Sequence, residues 1–181
     1  TGTPAWEWRR LNYETRDEAA EIWAKTGSGI NALAISPDGK WLTNPWVIYE
    51  SSEGRELIRW DEMQAGIATA DATAFSPDGT RLAVVNDEKL LLFDTQTWRT
   101  IARQENIVKL PRVSFSPDGR SIVTGSEDGT LIWWEAATLQ KRDEVKEHKA
   151  AISAVVFSPD GKMMASADKD QIVVWDANSR K

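Results

Sequence analysis

The sequence predicts an all-β fold made of repeated, four-stranded antiparallel sheets, and three features carry that prediction. The tetrapeptide SPDG stands at residues 36–39, 76–79, 116–119 and 158–161, at intervals of 40, 40 and 42. Apolar, β-compatible runs flank every copy on both sides. A third run then ends in an aromatic–acidic pair: Phe93-Asp94, Trp134-Glu135 and Trp175-Asp176.

SPDG is a turn by its chemistry. Proline presets φ for the second position, the short aspartate side chain can bond nearby backbone, and glycine accepts the left-handed geometry that follows. A tight turn between two apolar runs joins antiparallel strands. The flanking runs are INALAI and KWLT, ATAF and RLAVV, RVSF and SIVTG, and AVVF and KMMASA, with no competing 3.6-residue periodicity. The third strands read KLLLFD, TLIWWE and QIVVWD. More polar fourth strands follow around residues 98–103 and 141–147, where charge suits the outer edge of a small sheet.

The first unit needs a different register. Trp60-Asp61 lies 24 residues after Ser36, whereas the aromatic of the later units lies 17 or 18 after its SPDG serine. Tyr49-Glu50 lies 13 after Ser36, with the preceding turn compressed to Asn44-Pro45. Trp60 then belongs to a fourth strand, as does Trp23, and Tyr13 closes a third strand ahead of the first full unit. Third-strand ends at Tyr13, Tyr49, Phe93, Trp134 and Trp175 are spaced 36, 44, 41 and 41 residues.

Units of about 40 residues with four strands each are the repeat signature of β-propeller blades. The expected architecture is a partial β-propeller, an open arc of about four blades. Residues 1–181 form a single propeller segment. Within it, residues 1–29 end a preceding blade, and 30–66, 67–106 and 107–148 are complete blades. Residues 149–181 form a last blade lacking its outer strand.

Composition bounds the function. The chain has 181 residues, 41% hydrophobic and 28% charged, as soluble globular proteins do. Without cysteine there are neither disulfides nor thiolate zinc sites. The net charge of −6 opposes general nucleic-acid binding, which draws on an excess of Lys and Arg. No apolar run reaches the roughly 18–20 residues of a membrane span. The N-terminus lacks both Met and a signal-peptide pattern and reads as a processed end or as a window from a longer chain, and a cytoplasmic setting is expected.

The repeats resemble those of the WD-repeat β-propeller family over roughly residues 13–176. That resemblance implies a blade with a His ahead of the first strand, a Ser or Thr on the second, an Asp in the next turn and a Trp ending the third, all hydrogen-bonded together. The last unit fits with His148, Ser166, Asp168 or Asp170, and Trp175. The third supplies Thr124 or Ser126, Asp128 and Trp134, with Asn106 in place of His. The first two units depart from the pattern: Thr26 and Gly66 occupy the His position, and Tyr49 and Phe93 replace Trp.

His148 is the only histidine, and the resemblance makes it a structural link. A Ser166–His148–Asp168 triad is formally available, yet the blade pattern already accounts for these residues and no Gly-x-Ser-x-Gly elbow accompanies them. A carboxylate calcium site at Asp168-Lys169-Asp170 lacks the loop spacing of known types. No catalytic residues, metal site or cofactor are expected. Acidic residues recur between second and third strands, as Asp87-Glu88 and Glu127-Asp128, and Asp61-Glu62 falls in a connection at the same rim. They form either solvated turns or a negative rim for a basic partner.

The family resemblance implies a non-catalytic scaffold for protein–protein interaction, part of a larger multidomain protein. The acidic turns point to a protein or peptide partner of basic character, and the net charge and the lack of a long apolar run point to neither nucleic acid nor membrane as a ligand. The alternatives are the propeller portion of an enzyme, hydrolase-associated or dehydrogenase-type, and a periplasmic Tol-associated propeller, which shares SPDG.

Overall fold

The computed structural model describes residues 32–62 and 66–180. The strand ends expected at Tyr13 and Trp23, and Thr26, lie outside the described residues. Among the described residues, fifteen strands form four antiparallel sheets. The first holds β1 (Ala34–Ile35), β2 (Trp41–Thr43), β3 (Val47–Glu50) and β4 (Arg55–Arg59). The second holds β5 (Ala72–Phe75), β6 (Arg81–Asn86), β7 (Lys89–Asp94) and β8 (Thr100–Gln104). The third holds β9 (Arg112–Phe115), β10 (Ser121–Gly125), β11 (Thr130–Glu135) and β12 (Lys141–Lys146). β13 (Ala154–Phe157), β14 (Met163–Ala167) and β15 (Ile172–Asp176) make a three-stranded fourth sheet. Within each sheet the strands lie in chain order, as sequential hairpins dictate.

Every SPDG turn is built alike. The serine hydroxyl donates to the aspartate 2.5–2.6 Å away, and the glycine N–H donates to the serine carbonyl. The serine oxygen also accepts the N–H that opens the second strand, from Trp41, Arg81, Ser121 and Met163 in turn. The glycine has φ between +69° and +72°, a left-handed conformation that glycine adopts without a Cβ penalty.

The sheets pack face to face, and their apolar clusters lie between neighbours. Ile48 and Trp60 of the first unit meet Leu82, Val84, Leu91 and Phe93 of the second. The other face of the second, with Val85, Leu90 and Leu92, meets Phe115, Ile122, Ile132 and Trp134. The other face of the third, with Val123, Leu131 and Trp133, meets Val155, Met164 and Trp175. Strands buried on both faces read as continuous apolar runs, which explains KLLLFD and TLIWWE. The inner strands pack in the order β1, β5, β9, β13. β15 has no fourth strand beside it among the described residues, and Ile172 and Val174 on it are exposed.

The structure corrects two boundaries. β4 stops at Arg59, and Trp60 opens a single 3-10 turn, Trp60–Glu62, instead of lying in the strand. The reason is local: Trp60 N–H donates to the Trp46 carbonyl and its indole N–H to the Asn44 carbonyl at 3.0 Å, which turns the chain under the blade. β8 begins at Thr100, not Trp98, because Trp98 holds the left-handed position of the preceding turn, with φ of +54°.

Candidate functional site

Antiparallel order puts the turns between second and third strands, and the connections between sheets, at one end of the blades. The SPDG turns lie at the other. Two arrangements at the first end bear on function: a buried polar brace in the last blade, and the charged turns of the rim.

The brace is centred on Ser166, on β14. The Trp175 indole N–H donates to Ser166 Oγ at 2.9 Å, and His148 Nε2 lies 2.6 Å from the same oxygen. With its oxygen accepting from the indole, the hydroxyl proton is directed to Nε2, which places the imidazole proton on Nδ1. That nitrogen lies 3.1 Å from Asp168 Oδ2. The His148 and Asp168 side chains are both buried, and Ser166 is 1% exposed. Asp168 also accepts the N–H groups of Asp170 and Gln171, each at 2.8 Å. These two N–H groups, Asp170's first, together with His148 lower its pKa to about 2 against the opposing effect of burial. Asp170 itself is exposed, and its side chain pairs with Lys169 at 3.4 Å.

Serine, histidine and aspartate thus stand in the order of a nucleophilic triad. Ser166 Oγ is enclosed and already holds two partners. All buried side-chain nitrogens and oxygens among the described residues have a hydrogen-bond partner.

The third blade keeps part of this arrangement. Trp134 donates its indole N–H to Thr124 at 2.8 Å. Asp128 stands apart from that pair: it accepts from the Ser126 hydroxyl and the Thr130 N–H, and it pairs with Lys146 at 3.1 Å. Asn106 is exposed. The first blade uses a different set. Asn44 accepts the N–H groups of Trp46 and Val47, donates to the Tyr49 hydroxyl at 3.2 Å, and offers its carbonyl to Trp60. Thr43 and Thr73 bond across the first two blades at 2.8 Å. Phe93 packs on Trp60 in the same interface, at 6.1 Å between ring centres.

At the rim, Asp87 and Glu88 form the two-residue turn between β6 and β7, with Asp87 at φ +46°. They line an open hollow of about 560 Å³ with Gly66, Asn86, Lys89, Glu105, Asn106 and Lys109. Beside it Asp71, Lys109, Pro111, Arg112 and Glu127 line a second hollow. Lys109 stands in both, 3.3 Å from Glu127, and its pKa is raised by Glu127 first and then by Asp71 and Asp87. Asp71, which the sequence reading missed, accepts the Asp87 N–H at 2.7 Å and so fixes the acidic turn. Asp61 and Glu62 line neither hollow; they are exposed after β4, with Asp61 3.7 Å from Arg59.

The carboxylates make the fold acid-sensitive. Asp38, Asp78, Asp118 and Asp160 all have lowered pKa values, chiefly because the SPDG serine hydroxyl donates to them. A lowered folded-state value means that the stabilisation is complete above the unfolded value, near pH 4, and is lost as pH falls through the folded one. Urea midpoints should therefore fall as pH drops below about 4. In Asp78→Asn with Asp118→Asn, the fall should be shallower. An unchanged slope would remove the turns from this account.

Face-packed antiparallel sheets in sequential order, each opened by an SPDG hairpin, define a β-propeller arc, and the Trp–Ser–His–Asp brace marks its last blade. Residues 110–135 and 139–176 match the family model described as "WD domain, G-beta repeat". Over these residues the chain is similar to the WD-repeat family. It is similar to pre-mRNA-processing factor 19 homolog 2 of Arabidopsis thaliana, at 26% identity over 67% of this chain and 23% of that protein. It is also similar to protein HIR1 of Candida albicans, at 28% identity over 70% of this chain and 12% of the other. The chain therefore spans less than a quarter of the length of either relative. Among solved structures, a chain in a crystal structure of the mitotic checkpoint complex shares the fold, with a TM-score of 0.73 and 18% identity over 83% of this chain and 50% of that one. No helix among the described residues is long and apolar enough to cross a membrane.

Proposed function

We propose that the chain is a protein-binding scaffold whose docking surface is the acidic rim, and that it takes a basic peptide or domain. One observation carries this reading. The two hollows at the rim are lined by Asp71, Asp87, Glu88, Glu105 and Glu127 against Lys89, Lys109 and Arg112, an excess of carboxylates on a surface held by hairpins. Loops fixed on a rigid scaffold are where such folds place recognition. Exposed carboxylates steer a cationic partner and lose their effect as salt screens them, over about 8–10 Å at physiological ionic strength. The similarity to WD-repeat proteins supports the same class of role. The enclosed Ser166, with both its partners engaged, supports a bracing role for the His148 set.

The test is the association rate of a fluorescent Lys/Arg-rich peptide in rising salt, for wild type and for Asp87→Asn with Glu88→Gln and Glu127→Gln. The wild-type rate should fall with salt, and the variant should bind about tenfold more slowly at low salt with unchanged thermal stability. Equal rates for both proteins would remove the rim from the function.

A further inference from the structure

Five residues other than glycine hold a left-handed φ among the described residues, and three of them occupy one place in the repeat. That place is four residues after the acid that ends the third strand. It holds Trp98 after Asp94, Leu139 after Glu135 and Arg180 after Asp176, with φ of +54°, +56° and +59°. The N–H of each donates to the carbonyl of that acid at 2.8 Å, so the same turn is built three times. In the first blade the place belongs to Gly54, with φ of +63°. Glycine suits this geometry, and any other residue there loses stability unless its side chain makes a contact that offsets the strain.

In all three blades the side chain reaches the preceding blade. Trp98 packs in the cluster between the first two blades, edge-on to Trp41 of β2 at 5.6 Å between ring centres. Leu139 is fully buried in the cluster between the second and third, and Gln104 of β8 donates to its carbonyl at 3.0 Å. Arg180 extends from the last blade to the third. Its guanidinium lies 5.8 Å from the Trp133 ring centre and 2.7 Å from the Asp143 carboxylate on β12. The hydrogen bond from Arg180 is the main cause of the lowered Asp143 pKa.

We infer that this turn position is a clasp between blades, and that the clasp of the last blade is electrostatic where the other two are apolar. The left-handed backbone aims each side chain back across the junction, and the contact made there offsets the strain. Trp98 and Leu139 hold by excluding water. Arg180 holds by charge, over an indole face and against a carboxylate, and both it and Asp143 are partly open to solvent. Salt therefore loosens the clasp of the last blade and leaves the other two closed.

Glycine substitution tests this by the sign of its effect. Where a left-handed side chain is idle, glycine relieves the strain, and the urea midpoint rises or stays unchanged. Trp98→Gly and Arg180→Gly should instead lower it. Asn106→Gly is the control, since Asn106 has φ of +57° and an exposed side chain, and it should not lower the midpoint. In about 1 M NaCl, where screening acts within roughly 3 Å, the deficit of Arg180→Gly should fall by about half or more, and that of Trp98→Gly should persist. Asp143→Asn should show the same salt-dependent deficit as Arg180→Gly. If Trp98→Gly does not fold, Arg180→Gly and Asp143→Asn decide the matter. A midpoint raised or unchanged by either clasp variant, or lowered equally by Asn106→Gly, would overturn the inference. An Arg180→Gly deficit that persists in salt would overturn the electrostatic character of the last clasp.

Discussion

Trp175→Ala is expected to destabilise the chain by about 3–5 kcal/mol, the usual loss for a large aromatic removed from a core. Trp175 is buried, packs edge-on against Trp133 at 6.1 Å, and supplies the indole N–H that holds Ser166. Its removal leaves a cavity between the last two blades and loosens the hydroxyl that His148 uses. Phe93→Leu, at the matching position of the second blade, should cost less than about 1.5 kcal/mol, because it changes shape within an apolar interface and orphans no polar group. Thermal unfolding of both variants provides the comparison. Equal, small shifts would contradict the packing and hydrogen-bonding role given to Trp175.

Gly129→Ala should be nearly as damaging. Gly129 lies in the turn between β10 and β11 with φ of +88°, and a Cβ there would run into the backbone carbonyl of His148. Neither backbone can withdraw cheaply: Gly129 N–H is bonded to the Ser126 carbonyl, and His148 is held by Ser166 and Asp168. A left-handed non-glycine residue costs about 1–2 kcal/mol by itself. The collision should bring the total to about 3 kcal/mol or more, within the range of local backbone strain combined with a disturbed core. Gly39→Ala is the control, since φ there is +71° with open space around it, and it should show the first cost alone. Similar urea midpoints for the two variants would mean that the connection bearing His148 does not press on this turn.

What the sequence made legible was chemistry local to a few residues. SPDG contains its whole hydrogen-bonding scheme within six positions, so its turns could be read directly. The third strands stood out because strands packed on both faces are apolar throughout. The compressed Asn44-Pro45 turn could be placed by spacing, and Tyr49 with it. The consequence for Asn44, which bonds two backbone N–H groups, Tyr49 and Trp60, could not be read, because Trp60 arrives from beyond β4. Thr43 and Thr73 were silent for the same reason, being 30 residues apart and joined only when blades stack. Ser126 and Thr124 both suited the third blade on spacing; the side on which each lies relative to the Trp134 indole separates them. Asp71 and Lys109 sit in connections with no repeat signature, so their meeting with Asp87 and Glu127 emerged only from the fold. The proline of each SPDG turn lies beside the glycine of the next, Pro37 by Gly79, Pro77 by Gly119 and Pro117 by Gly161, a proximity that only the stacked sheets reveal.

The central claim, that recognition resides at the acidic rim of a rigid WD-repeat arc, is tested most directly by hydrogen exchange with and without a saturating Lys/Arg-rich peptide. Slower exchange is expected in the hairpin at residues 86–89, the connection at 105–111 and the turn at 126–130, with the SPDG turns unchanged. Protection confined to the SPDG turns, or none at the rim under conditions where the peptide is bound, would contradict the account.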